Sequence, residues 1–127
     1  MNYKELKELV ISNSFMIEEL TDTMRTLYIT CSPSYFSADE NSNVFAIVEF
    51  KNIEDKIDNI SLFNDLVINE DGLIFTLNAR NIDCTDITKT KINNILKNIK
   101  KSIDFNALVY KRIKIKKRKN DLEQDFE

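Results

Sequence analysis

The sequence predicts an α+β domain, an antiparallel sheet of four to five strands covered by an N-terminal helix and a basic amphipathic C-terminal helix. Three observations carry that prediction. Val44 to Lys51 places apolar residues on both faces of an alternating run, as a central strand does. Glu70-Asp71-Gly72 lies between two runs of strand formers, a hairpin signal because glycine takes positive φ without strain. Ile92, Leu96, Ile99 and Ile103 recur at helical spacing beneath a surface of lysines.

Each element follows from local pattern. Tyr3, Leu6, Leu9 and Val10 set a helix over residues 3–11, broken by Ser12-Asn13-Ser14. Strand formers then predict strands at about 15–20 and 25–32 around Thr21-Asp22-Thr23, although Ile17, Leu20, Met24 and Leu27 also fit a helical face. Pro33 and the polar stretch Ser37 to Asn43 read as a loop. Ile53, Ile57 and Ile60, spaced four and three apart, predict a short helix of two turns. Asp65 to Asn69 and Leu73 to Arg80 form the hairpin arms, with Leu73, Phe75, Leu77 and Ala79 directed to the core. Asp83 or Thr85 caps a helix running to about Ile103. From Phe105 onward the pattern fits either a strand, with Arg112, Lys114, Lys116 and Arg118 on one face, or a helix with cations all round. The expected organisation is one domain over 1–110, then a basic segment at 111–119 and a short acidic tail at 120–127.

Composition removes several function classes. The 127 residues contain no His, so no imidazole serves as base or metal ligand. The single glycine, Gly72, cannot build a glycine-rich phosphate cradle. Cys31 and Cys84 form no C-x-x-C pair, and no metal or cofactor is expected. Cys31 alternates with Leu27 and Ile29 as a buried small hydrophobe, whereas Cys84, ahead of a lysine-bearing helix, is a candidate for a lowered pKa. The charged N-terminus and the short apolar runs argue against a signal peptide or a membrane span, which makes the cytoplasm the expected compartment, or the nucleus in a eukaryote. Asn, Lys and Ile supply 15, 14 and 17 residues, types with A/T-rich codons, so an A/T-rich genome is expected.

Charge is the most informative feature. The net value of −3 conceals three blocks. Residues 1–86 carry 6 basic and 16 acidic side chains, residues 87–119 carry 12 basic and one acidic, and residues 120–127 add four acids. An acidic body is thus followed by a basic C-terminal quarter, a sign asymmetry that marks an interaction surface. Lys111, Arg112, Lys114, Lys116, Lys117, Arg118 and Lys119 are the candidate binding residues, with Lys97, Lys100 and Lys101 in support. Seven basic residues in nine cannot pack in a core.

A further pattern touches catalysis. Pro33-Ser34, followed by Ala46-Ile47-Val48-Glu49-Phe50-Lys51 on a strand, resembles the core of the metal-dependent PD-(D/E)xK nucleases. That resemblance implies Glu49 as a Mg²⁺ ligand and Lys51 as an activator of water. It covers about 20 residues, and Ser34 stands where the family has a carboxylate, with Asp39 the available substitute. The element order is also similar to that of compact acidic export chaperones, which implies dimeric partner binding.

The leading expectation is a small non-enzymatic binding or regulatory protein: an inhibitor, assembly factor or accessory subunit. It docks on a protein partner or nucleoprotein complex through its acidic body and basic segment, with a homodimer as a further option. The alternative is a nucleic-acid or ribonucleoprotein binder using 111–119. If all seven cations met phosphates on a duplex, log K would fall with log salt at a slope of about −6. A degenerate nuclease using Glu49 and Lys51 stands third.

Overall fold

A computed structural model of the chain describes residues 2–20, 25–31, 36, 42–51, 56–63, 65–76 and 78–125. The order of elements is α1 (Tyr3–Ser12), β1 (Met16–Leu20), β2 (Arg25–Thr30), β3 (Val44–Lys51), β4 (Lys56–Leu62), β5 (Leu66–Asn69), β6 (Gly72–Phe75), β7 (Arg80–Ile82) and α2 (Lys89–Asp125). A five-stranded sheet runs in the order β1-β2-β3-β4-β7, every pairing antiparallel, and β5 and β6 form a separate two-stranded sheet. The fold is therefore α+β, with β3 at the centre of the larger sheet as its two-faced apolar pattern predicts.

The helix α1 begins where Asn2 accepts a hydrogen bond from the Glu5 amide through Oδ1, 2.8 Å, satisfying one of the unpaired first-turn donors. Its apolar stripe, Leu6 and Val10, is fully buried. One continuous apolar cluster joins that stripe to the sheet through Leu27, Val48 and Phe50, to the hairpin through Leu73 and Phe75, and to α2 through Leu96 and Ile99. Phe45, the unpaired extra residue where the β2–β3 register shifts, lies 4.7 Å from the Phe15 ring and 5.9 Å from that of Phe75, centroid to centroid. The bulge thus turns an otherwise outward-alternating position into a core contact. The opposite face of the sheet carries the row Glu18, Tyr28, Ile47, Ser61 and Asn81 in register, exposed or half-buried.

Four expectations change. The short helix read from Ile57 and Ile60 is the strand β4, and Ile53 lies outside the described residues. The spacing of three has a physical source: Glu49 pairs with Asn59 and Phe50 with Ile57, so Asp58 is an inserted bulge residue. The insertion puts Ile57 and Ile60 on the same face, opposite Phe50 and Val48, and mimics helical spacing. The second hairpin arm is not one strand from Leu73 to Arg80. β6 stops at Phe75, Ala79 is exposed, and Arg80–Ile82 crosses to pair with β4 instead. Leu77, like Thr21 to Thr23 and positions 37–41, lies outside the described residues.

The third change is the start of α2. Asp83 accepts from the Thr85 amide at 2.9 Å, which closes a turn and holds the Asp83 carboxyl below its ordinary value. Asp86 then takes φ 54°, a left-handed conformation that ends the turn. The cap is Thr88, whose hydroxyl accepts from the Lys91 amide at 3.2 Å. The fourth is its end. The helix does not stop near Ile103 but continues through 37 residues to Asp125, a length of about 55 Å.

Candidate functional site: the basic distal half of α2

The long helix divides into two halves by what it touches. Ile92, Leu96, Ile99 and Ala107 are buried against the body, with Ile103 and Tyr110 partly so. At the proximal end Asn13, the C-cap of α1, donates through Nδ2 to Asn93 Oδ1 at 2.9 Å, and Lys89 lies 3.5 Å from Glu5. Farther along, α2 packs on β5 and β6. Tyr110 is the last α2 side chain packed on the apolar cluster. Its hydroxyl donates to the Glu70 carbonyl in the hairpin turn at 3.5 Å.

Every side chain from Lys111 to Leu122 is exposed. The open choice between strand and helix for the basic run is thereby resolved as helix, and Lys111, Arg112, Lys114, Lys116, Lys117, Arg118 and Lys119 ring a cylinder rather than lining one strand face. The segment stays helical because Lys, Arg and Leu lose little rotamer freedom in a helix and neither Gly nor Pro interrupts it. Like charges at i, i+3 and i, i+4 oppose it, at a few tenths of a kcal/mol each. Lys97, Lys100 and Lys101 are exposed on the proximal half, so all ten candidate cations lie on one element.

Helical periodicity sorts the distal half into two sides. The side that continues the body-facing stripe carries Tyr110, Ile113, Lys114, Lys117 and Asp121. With Arg118 and the hairpin residues Asn69 and Glu70 these line a groove of about 500 Å³. The Lys114 ammonium sits 5.1 Å from the centre of the Tyr110 ring, a cation–π contact that covers one aromatic face. The outward side carries Phe105, Leu108, Ile115 and Leu122, which are 67, 47, 67 and 59% exposed. Sequence reading by charge alone missed this outward stripe. Its signal was present in the positions of these four apolar residues, but only a continuous helix past Ile103 makes them share a face.

The other candidates have quieter surroundings. Glu49 is half-buried on the sheet face away from the helices, between Thr26 and Asn59 on the neighbouring strands. Ser34 and Asp39, the positions the nuclease resemblance turns on, lie outside the described residues. Among the described residues no group of three or more His, Cys, Asp or Glu is placed to hold a metal ion. Burial pushes the Cys31 thiol up to about 12. Cys84 is also raised, chiefly by burial, so the lowered value expected from the neighbouring lysines does not occur: Asp83 and Asp58 add to the rise and Lys91 opposes it only weakly. Among the described residues no helix is long and apolar enough to cross a membrane. Compared with known protein families, curated proteins and solved structures, the chain matches none of them.

Proposed function

We propose that this protein works by binding, docking an acidic protein partner along the basic distal half of α2. One observation carries the reading: seven cations between Lys111 and Lys119 stand on a helix whose side chains are all exposed there. Intrinsic propensity keeps the segment helical despite its own charge repulsion, so the cations are held at fixed spacing along one frame. Exposed cations on a fixed frame attract an acidic surface over a Debye length and orient its approach, raising the association rate more than the final affinity. The large exposed apolar side chains beside them favour a protein partner over a nucleic-acid backbone, which offers nothing for Phe105 or Ile115 to bury against.

Nucleic acid is the second reading, favoured by the same cations and by Tyr110 as a stacking surface. Lys114 already occupies one face of that ring. The test is a capture from source-cell lysate on the immobilised full chain, at low and moderate salt, with and without nuclease. Docking of a protein predicts a nuclease-resistant catch that weakens with salt and is lost when Lys114, Lys117 and Arg118 are all changed to Glu. A nuclease-sensitive catch transfers the function to nucleic acid.

A further inference from the structure

The outward face of α2 has a finer pattern than exposure alone. Phe105, Leu108, Ile115 and Leu122 are separated by three, seven and seven positions. With Arg112 and Lys119 they complete an alternation of fours and threes, the a and d positions of a heptad repeat. Such a seam drifts steadily around a straight helix and suits a second helix wound about it, not a flat surface. All six side chains are exposed, and the seam lies opposite the stripe that packs on the body.

We infer that this seam takes an acidic amphipathic helix from the partner protein, forming a two-stranded coiled coil with α2. The inference rests on the docking proposed above and names the partner's form. Charge selects the occupant. Two copies of this chain paired along the seam would bring together two sets of seven cations, from Lys111 to Lys119 on each, including Arg112 and Lys119 inside the interface itself. A partner helix with carboxylates facing those positions removes the repulsion and keeps the apolar layers. The seam also differs from a lipid-binding face. Arg112 and Lys119 fall within the apolar stripe, where insertion into a bilayer would desolvate them without a counter-charge. In a coiled coil a charged a position costs stability and fixes register and partner choice, and here two of the three a positions, Arg112 and Lys119, require facing carboxylates. The stretch from Phe105 to Leu122 is only two and a half heptads, short for two free peptides to pair. Here one strand is already helical and held by the body, which lowers the ordering cost of association.

The test uses a designed 25-residue peptide with Leu and Ile at a and d, Glu opposite Arg112 and Lys119, and Glu at the flanking positions. A control peptide has the same composition in scrambled order. Each is titrated against the full chain by calorimetry and circular dichroism at two salt concentrations. The expected result is at least tenfold tighter binding of the patterned peptide, with a gain in helical signal. Ile115→Asn, at an exposed position that leaves the body intact, should abolish the difference while both peptides still bind weakly through charge. Equal binding of both peptides by the wild-type chain overturns the seam and leaves acidic docking standing. Binding of neither overturns both. Sedimentation of the chain alone as a dimer that Ile115→Asn dissociates assigns the seam to a second copy and overturns the inference. Co-sedimentation with anionic phospholipid vesicles, lost in the same variant, overturns it in favour of a lipid surface.

Discussion

The Tyr110 hydroxyl donates to the carbonyl oxygen of Glu70 at 3.5 Å, tying the last α2 side chain packed on the apolar cluster to the turn of the β5–β6 hairpin. Beyond this point the helix carries only exposed side chains as far as Leu122. The contact marks the junction between the part of α2 that stabilises the fold and the part that is presented to solvent. Being long for an O–H···O bond, it contributes little on its own. Tyr110→Phe is expected to cost less than about 1 kcal/mol by chemical denaturation. The larger effect should be local: amide hydrogen exchange in the Glu70-Asp71 turn and in the turn of α2 around Lys114 should quicken, with the sheet unchanged.

Phe45 tests the opposite extreme. It has no measurable exposure and packs between the rings of Phe15 and Phe75 at the bulge in β3. Phe45→Ala should cost about 3–5 kcal/mol, enough to unfold a domain of ordinary stability at moderate temperature. Phe45→Leu keeps most of the volume and should lower the urea midpoint while the protein remains folded. Because the ring sits in the core only by virtue of the inserted residue, deleting Phe45 should be as damaging as Phe45→Ala.

The bulges also explain where sequence reading succeeded and where it failed. Val44 to Lys51 was legible because its alternation is regular over most of its length, whereas Met16–Leu20 and Arg25–Thr30 were read from strand-forming residue types against a competing helical face. β4 was not, because Asp58 adds one residue and gives Ile57 and Ile60 the spacing of a helix. The Gly72 turn was legible from chemistry, since Gly72 adopts φ 137° at the start of β6. The crossing of Arg80–Ile82 to β4 is a long-range pairing for which three residues hold no distinguishing pattern. In the candidate site the cations were plain in the sequence. Their arrangement was not, because a run of Lys and Arg with isolated Ile fits strand and helix equally until the tertiary anchor upstream is known.

Gly72 itself is buried as well as left-handed. A Cβ at that position meets both the backbone penalty of positive φ and the packing beside Leu73. Gly72→Ala should therefore destabilise by about 1–3 kcal/mol, measured by thermal or chemical denaturation. The loss should exceed that of an alanine placed at the neighbouring exposed Asp71.

The two cysteines give a pH-dependent signature. Burial pushes the Cys31 thiol up to about 12 from an ordinary 9.0. The unfolded chain releases this proton near pH 9 and the folded chain retains it, so the folded state binds more protons between those limits. Stability then falls as pH rises through that window, by about 1.4 kcal/mol per pH unit from this group. Below pH 9 it has no effect. A Cys31→Ala variant should lose this part of the alkaline decline, alongside a pH-independent packing cost. At pH 8 an aromatic disulfide reagent should label Cys84, which is partly buried and also raised, slowly, and Cys31 only on unfolding.

A pair of proline substitutions separates the two halves of α2 directly. Ile99 is 5% exposed and stands in the buried stripe, whereas Ile115 is 67% exposed on the outward face. Proline removes one main-chain hydrogen bond and clashes with the preceding turn, at about 3 kcal/mol in a helix interior. At Ile99 that cost adds to the loss of a buried side chain, and Ile99→Pro should leave little folded protein. At Ile115 the helix can fray from the break outward, since no core contact depends on residues 111–122. Ile115→Pro should lower the unfolding free energy by less than about 0.5 kcal/mol while removing a measurable fraction of the helical circular dichroism. Partner capture should fall in parallel, because the cations remain on the chain but no longer on a fixed frame. If capture survives Ile115→Pro unchanged, charge alone suffices and the ordered helix is not what the partner reads.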